Sequence, residues 1–125
     1  MRAIHDGLFE LADDGTITLI GGYSPTSGRF HFPLLDACPF SGANDVQRVL
    51  LSHNATLWAW TAVTAAPPGY TGPVPYGFGV VELVEEKLRI ITRLRESDPL
   101  QLTFEQPMTL VADELPDGVV TWAFA

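Results

Sequence analysis

The chain has little of several features that would point to a particular class of protein. Its single cysteine in 125 residues excludes an internal disulfide and favours a reducing compartment. No apolar run approaches the roughly 20 residues that a transmembrane helix needs. The 7 basic residues are outnumbered by 15 acidic ones, and a formal net charge of -8 opposes binding to a phosphate backbone. We therefore expect a soluble, cytoplasmic protein with neither a membrane nor a nucleic-acid partner.

The first 20 residues also lack the uncharged segment of a signal peptide. They carry four acids, Asp6, Glu10, Asp13 and Asp14, so no secretory leader is expected. Apolar residues make up 46% of the chain and charged residues 18%, a globular composition. A chain of this length can bury one core without a disulfide or a metal.

Helical periodicity is nearly absent, whereas strand patterns are frequent. Residues 45–53 come closest to a helix, and a strand fits them as well. Asp14-Gly15 predicts a hairpin turn between two short strands, and residues 115–118 (LPDG) predict another turn. The longer predicted strands are 46–51, 56–65, 76–84, 87–94, 108–115 and 119–125.

Alternation predicts which side chains share a face of these strands. One predicted face consists of Leu88, Ile90, Thr92 and Leu94; another consists of Val120, Trp122 and Phe124. Trp58 and Trp60, two residues apart, are likewise expected on one face. Five or six strands with almost no helix predict an all-β protein, with a small closed or partly closed barrel like an OB-fold. We expect a loop-rich N-terminal segment over residues 1–44 and the barrel over 45–125.

Two short motifs have the spacing of the paired knuckles of a zinc ribbon. The four ligand positions are Ser24, Ser27, Cys38 and Ser41, and a glycine follows each pair. A serine hydroxyl has a pKa far above that of a thiol, and Cys38 alone cannot hold a structural zinc. Two interpretations stay open: His31 or His53 completes a metal site, or the motifs are two ordinary turns ended by Gly28 and Gly42.

Catalytic motifs are missing from the sequence. It has no GxSxG, HExxH, P-loop or GxGxxG pattern, and residues 77–82 (GFGVVE) fall in a predicted strand. Cys38 with His31 or His53 would make a nucleophile and base, the alternative being a structural cysteine in a turn. The carboxylates of Glu82, Glu85 and Glu86 would serve as acids or bases, or lie solvated beside a turn.

The order of motifs resembles a known family with a zinc ribbon followed by an OB-fold, formerly a domain of unknown function and associated with acyl-CoA enzymes. The resemblance covers roughly residues 8 to 115. Its elements are residues 19–22 (LIGG), the two knuckles, 32–33 (FP), 60–63 (WTAV), 67–70 (PPGY), 75–76 (PY), 81–83 (VEL), 85–86 (EE), 88–90 (LRI), 98–100 (DPL) and 107–108 (PM).

The sequence departs from the family pattern at three places. Serine occupies three of the four ligand positions, so the zinc is expected to be lost and no cofactor is expected. Residues 54–56 (NAT) replace a Gly-x-Gly before the first barrel strand. Lys87 replaces the glycine after the acidic turn, so either that turn differs or Lys87 takes an unfavourable φ. Phe30, Phe32, Leu34, Leu35 and Phe40 are expected to supply apolar packing or partner contact in place of the ion.

The resemblance implies a non-catalytic partner subunit, in a heterotetramer, of a thiolase-like or lipid-transfer-protein-like enzyme. Such enzymes act on acyl-CoA by retro-aldol cleavage in steroid side-chain degradation, by thiolysis or by acyl transfer, and the partner carries the catalytic groups. Whether this chain is itself an enzyme is left open, and no catalytic residue is assigned to it. A stand-alone OB-fold module that binds a ligand or single-stranded nucleic acid is the alternative.

The long connection over residues 65–75 contains four prolines, and long loops in compact domains often carry function. The basic strip Lys87, Arg89, Arg93 and Arg95 is either a solvated strand face or a contact with an acidic partner or CoA phosphates. The predicted contacts with the partner or acyl-CoA are Pro67, Pro68, Tyr70, Pro75, Tyr76, Arg89 and Arg93.

Overall fold

The computed structural model describes residues 2–3, 7–65, 68, 74–115 and 118–125, with only the backbone at 2–3. The strands are β1 (Arg2–Ala3), β2 (Phe9–Leu11), β3 (Ile17–Ser24), β4 (Arg29–His31), β5 (Gln47–Leu50), β6 (Asn54–Val63), β7 (Tyr76–Leu83), β8 (Arg89–Leu94), β9 (Pro107–Glu114) and β10 (Val119–Phe124). A 3-10 helix, Pro99–Gln101, lies between β8 and β9. The prediction of an all-β protein is confirmed, since the described residues contain no α-helix, and none of their helices is long and apolar enough to span a membrane.

Five strands close into a barrel. The order is β6-β7-β8-β10-β9, and β9 pairs with β6 to complete the circuit. β8 and β10 run parallel where Leu94 faces Phe124, and the other pairs in the circuit are antiparallel. Closure leaves no free edge among these strands, so their backbone groups pair within the barrel. This order confirms the predicted OB-fold.

The N-terminal residues form a second sheet around β3. β2, β4 and β5 each pair antiparallel with β3. β5 therefore bonds to the N-terminal sheet, and barrel pairing starts at Asn54 in β6. The two parts share one core, in which Phe9, Ile17 and Leu19 cluster with barrel residues such as Leu57. Trp122 of β10 adds edge-on ring contacts to Phe9 and Phe32, at 6.1 and 5.6 Å between centroids.

The alternation predicted in β8 is confirmed. Ile90, Thr92 and Leu94 point into the barrel and are buried, while Arg89 and Ile91 face outward. In β10 the pattern is less simple, because side chains on both faces of the strand are buried. Val119, Thr121 and Ala123 are buried as well as Val120 and Phe124, so single-face alternation understates the burial of β10.

A β-bulge at Trp58 shows that the prediction for the two tryptophans was wrong. Leu57 lies opposite Val81 and Ala59 opposite Val80, so Trp58 is the extra residue on β6. After the bulge, the residues of β6 that face inward and outward exchange parity, so Ala59 faces outward and Trp60 inward. Trp58 is therefore exposed, whereas Trp60 packs against the core and donates its Nε1–H to the Pro99 carbonyl at 3.0 Å.

Two of the turns discussed from the sequence, at Asp14-Gly15 and at Lys87, can be compared with the structure. At Asp14-Gly15, Gly15 has a φ of 88° and its N–H donates to the Ala12 carbonyl at 2.9 Å, which confirms that turn. After β7, the Lys87 N–H donates to the Leu83 carbonyl at 2.9 Å, and Lys87 has a φ of 54°. Of the two alternatives for this turn, the structure therefore shows the second, an unfavourable φ at Lys87.

Candidate functional site

The two knuckle motifs fold as matching turns. In the first, the Gly28 N–H donates to the Ser24 carbonyl at 2.8 Å; in the second, the Gly42 N–H donates to the Cys38 carbonyl at 2.8 Å. Both glycines have a positive φ, 68° and 76°, which glycine adopts at little cost. The prediction that these glycines keep their turns is confirmed.

Asp45 organises the first knuckle. Its Oδ1 accepts from the Ser24 hydroxyl at 2.5 Å, and its Oδ2 accepts from the Thr26 hydroxyl at 2.6 Å and the Thr26 N–H at 2.8 Å. The hydroxyls of Ser24 and then Thr26 hold the pKa of Asp45 at about 2, below its ordinary value of 3.8. No local sequence pattern predicts this contact, because Ser24 and Asp45 lie 21 residues apart in the chain.

The second knuckle places Cys38 beside two of the serines. The thiol is 2% exposed, and its Sγ lies 3.3 Å from the Ser27 hydroxyl. Hydrogen bonding with Ser27 and then with Ser41 lowers the pKa of Cys38 to about 6. Three of the four ligand positions therefore meet around one sulfur. The fourth, Ser24, is fully buried and turns its hydroxyl to Asp45 instead.

Neither candidate histidine contacts the knuckle thiol in the described part of the chain. His31, the last residue of β4, is buried; its Nε2 accepts from the Leu35 N–H at 3.3 Å, and burial lowers the pKa of its ring. His53 Nε2 lies 3.0 Å from the Thr18 hydroxyl. The described residues hold no group of three His, Cys, Asp or Glu side chains arranged for a metal. One thiol and three hydroxyls do not fit a structural zinc.

The apolar residues expected in place of zinc divide into two sets. Phe30 and Phe32 pack against the core cluster, and Leu34 is half-buried. Leu35 and Phe40 stay exposed, and Phe40 carries the Arg29 guanidinium 3.8 Å above its ring centroid. Leu35 and Phe40 therefore lie on the protein surface and do not take part in the core.

Strands β6 to β8 present an outward-facing surface, called here the outer face. Its side chains are Trp58, Tyr76, Phe78, Val80, Glu82, Arg89, Ile91 and Arg93. Cross-strand register sets Val80 opposite Ile91, with Ile91 65% exposed. At one end of the face Arg89 lies 4.1 Å above the Trp58 ring and 3.3 Å from the Glu82 carboxylate.

The predicted contact residues are partly gathered on this face. Tyr76 and Arg93 lie together, with the guanidinium 4.9 Å from the ring centroid, and Arg89 is two outward positions from Arg93 along β8. Pro75 is exposed next to Tyr76, and Pro68 is exposed within the long connection. The predictions for Pro67 and Tyr70 lie outside the described residues.

The sequence reasoning missed the apolar centre of the outer face. Trp58, Phe78 and Ile91 are exposed large side chains, and they join the arginines in a composition that is typical of protein–protein hot spots. The outward alternation of β7 and β8 was visible in the sequence. The bulge that turns Trp58 outward was not.

The closed strand order and the comparisons agree on the class of protein. The barrel defines an OB-fold domain, and the family model for the ChsH2 C-terminal OB-fold domain matches residues 48–113, more than half of the chain. The chain therefore belongs to this family, which confirms the family predicted from the order of motifs.

A solved structure shares the fold. A chain of an Ltp2-ChsH2(DUF35) aldolase superposes with a TM-score of 0.67 at 21% sequence identity, over 86% of this chain and 83% of that one. No curated protein matches the sequence. The structural similarity extends beyond residues 48–113, so it includes part of the N-terminal segment as well as the barrel.

Proposed function

We propose that this chain is a non-catalytic subunit of a thiolase-like or lipid-transfer-protein-like enzyme that cleaves carbon–carbon bonds in acyl-CoA substrates. Membership of the ChsH2 OB-fold family is the observation that carries the proposal. The fold shared with a chain of an Ltp2-ChsH2(DUF35) aldolase supports the aldolase class over thiolysis and acyl transfer. The single cysteine and acidic composition favour a cytoplasmic complex.

The chemistry of the described side chains supports an accessory role. The thiol of Cys38 is buried and bonded to serine, and the rings of His31 and His53 have other partners. A nucleophile needs a base within hydrogen-bonding reach, and neither histidine serves Cys38 in that way. On this proposal the reacting groups belong to the partner.

The outer face is the proposed contact with that partner. Its centre is apolar and aromatic, and arginines at its ends are already held over the Trp58 and Tyr76 rings. Preordered side chains lose less conformational entropy on binding, which favours association. The exposed Pro68 and Pro75 are proposed as further contacts with the partner or acyl-CoA. Two copies of each chain, a heterotetramer, remain the proposed assembly.

We propose further that the knuckle segment holds its shape without zinc. Asp45 joins Ser24 and Thr26, and the hydroxyls of Ser27 and Ser41 surround Cys38. The contacts around Cys38 join three of the four positions that a metal would join, and Asp45 holds the fourth, Ser24. The segment can then support the barrel without a metal ligand set.

Co-expression with a thiolase-like protein encoded beside this chain tests the proposal. We expect one complex in size-exclusion chromatography, and acyl-CoA lyase activity that requires the partner's active site. Elution as two separate proteins at micromolar concentration contradicts a stable complex. Salt-sensitive binding of single-stranded DNA by the isolated chain would favour the alternative, a stand-alone OB-fold module.

A matched pair of variants tests the outer face. Ile91→Glu places a carboxylate at the apolar centre of the face and should weaken the complex at least about tenfold. Leu50→Glu makes the same chemical change at a residue 51% exposed on β5, in the other sheet, and should leave affinity unchanged. If both variants bind the partner with equal affinity, the contact lies elsewhere on the chain.

A further inference from the structure

A cleft of about 590 Å³ lies between the knuckles and the turn that joins β7 to β8. Arg29 and Phe40 line its knuckle side, and Glu82, Glu86, Lys87 and Arg89 line its barrel side. Its size lies within the range of pockets that bind small molecules. Three cations and two carboxylates leave one net positive charge here, in a chain whose overall charge is -8.

Most cations elsewhere in the described chain have a carboxylate partner. Arg48 pairs with Glu10 at 2.6 Å, and Arg93 and Arg95 both approach Asp113, at 3.5 and 3.4 Å. Each of these three arginines therefore lies within ion-pair distance of a carboxylate, although two of them share Asp113.

Inside the cleft the pairing is incomplete. Arg89 pairs with Glu82 at 3.3 Å, and the Glu86 carboxylate accepts from the N–H and hydroxyl of Ser52 at 2.7 and 2.6 Å. Among the described residues no carboxylate lies within ion-pair distance of Arg29 or Lys87. The two uncompensated cations of the described chain thus line one cleft.

The geometry of each cation suits an anion. The Arg29 guanidinium stacks on Phe40, which fixes its plane and leaves its N–H edge for a two-point contact with phosphoryl oxygens. Lys87 occupies a left-handed backbone position, φ 54°, where glycine is favoured. A strained residue at the rim of a cleft points to a function for its side chain.

We propose that this cleft binds a phosphate-bearing small molecule through Arg29 and Lys87. Phosphoryl oxygens would accept hydrogen bonds from both side chains, and the remaining volume would take an attached group. The shared chemistry is the phosphoryl anion, supplied either by a nucleotide or by free diphosphate. The cleft shares Glu82 and Arg89 with one end of the outer face, but its proposed anion contacts, Arg29 and Lys87, lie outside that face. The proposal concerns the isolated chain, so it can be tested without the partner.

Isothermal titration of the full chain with ADP and with inorganic diphosphate tests the site. We expect binding that weakens as salt rises, since the contacts are solvent-exposed charges. ADP binding much tighter than diphosphate assigns a nucleotide as the source; equal affinities assign the phosphoryl group alone. Absence of binding by both probes at millimolar concentration overturns the proposal.

Three variants locate the site. Lys87→Gly and Arg29→Ala should each weaken binding about tenfold. Lys87→Gly also relieves the strained φ, so its loss of binding cannot come from loss of folding. Arg48→Ala removes a cation that is paired with Glu10, away from the cleft, and should bind like the original chain. Unchanged affinity in Lys87→Gly and Arg29→Ala would show that the anion binds elsewhere.

Discussion

The Asp45 carboxylate accepts a hydrogen bond from the buried Ser24 hydroxyl at 2.5 Å, across 21 residues of chain. In a zinc ribbon the residue at position 24 would be bound to metal. Here a carboxylate from the segment before β5 anchors the first knuckle. The donor set around the two knuckles, one thiol and three hydroxyls, does not fit zinc.

Asp45→Asn should destabilise the protein, and the effect should depend on pH. The folded-state pKa of Asp45, about 2, is below the ordinary 3.8, so its contribution to stability is complete above pH 3.8 and is lost as pH falls toward 2. At pH 7 we expect the melting temperature of Asp45→Asn to fall by several degrees. Near pH 2 the difference in melting temperature between the original chain and Asp45→Asn should become smaller. Thermal denaturation from pH 7 down to pH 2 measures this difference. A constant gap would contradict the role given to the carboxylate.

Lys87→Gly should stabilise the fold by about 1 kcal/mol, because a non-glycine residue in the left-handed region carries a cost of that order. Glu105 has a similar φ of 66° and lies outside the lining of the cleft, so Glu105→Gly is the matched comparison. Urea denaturation should show both variants gaining stability. A gain at residue 105 without one at 87 would mean that the Lys87 side chain makes compensating contacts.

The alternation of apolar residues predicted the barrel, and the order of motifs predicted the family. Both signals can be read from neighbouring residues along the chain without knowledge of its tertiary contacts. Alternation in β8 placed Ile90 and Leu94 inside, and the glycine-ended knuckles placed Gly28 and Gly42 in their turns. These features depend on local backbone geometry, which neighbouring residues specify.

Local sequence patterns could not predict long-range contacts or shifts in strand register. The bulge at Trp58 changes which side of β6 faces the core, and a count of alternate residues cannot detect an extra one. The Asp45 contact and the meeting of Arg29 with Lys87 at one cleft join distant segments. The pairing of β5 with β3 brings Asp45 to the first knuckle, and the packing of the knuckles against the barrel brings Arg29 close to Lys87.

Gly79→Ala should destabilise the barrel by about 1–3 kcal/mol, the usual range for overpacking. A Cβ at this buried position in β7 would collide with the Ala59 backbone carbonyl beside the bulge, and a carbonyl in a paired strand cannot rotate away. Val80→Ala, at the next position and facing outward, should cost less. Urea denaturation of both variants measures the difference, and an equal loss would show that the bulge yields to the added methyl group.

The chain as purified should carry well under one zinc per molecule by elemental analysis, and a chelator should leave its melting temperature unchanged. Replacing Ser24, Ser27 and Ser41 together by cysteine supplies four thiolates at knuckle spacing, and this variant should bind zinc or cobalt(II) in a tetrahedral site. The matching turns at Gly28 and Gly42 already hold the two knuckles in the required form.

The triple variant also loses the hydrogen bond from Ser24 to Asp45, so it should be less stable than the original chain without metal and should recover with it. Cobalt(II) absorption and thermal denaturation with and without metal measure both effects. Stoichiometric zinc in the original chain would overturn the assignment of a metal-free ribbon. A triple variant that binds no metal would show that the knuckles have moved apart from the geometry of a ligand site.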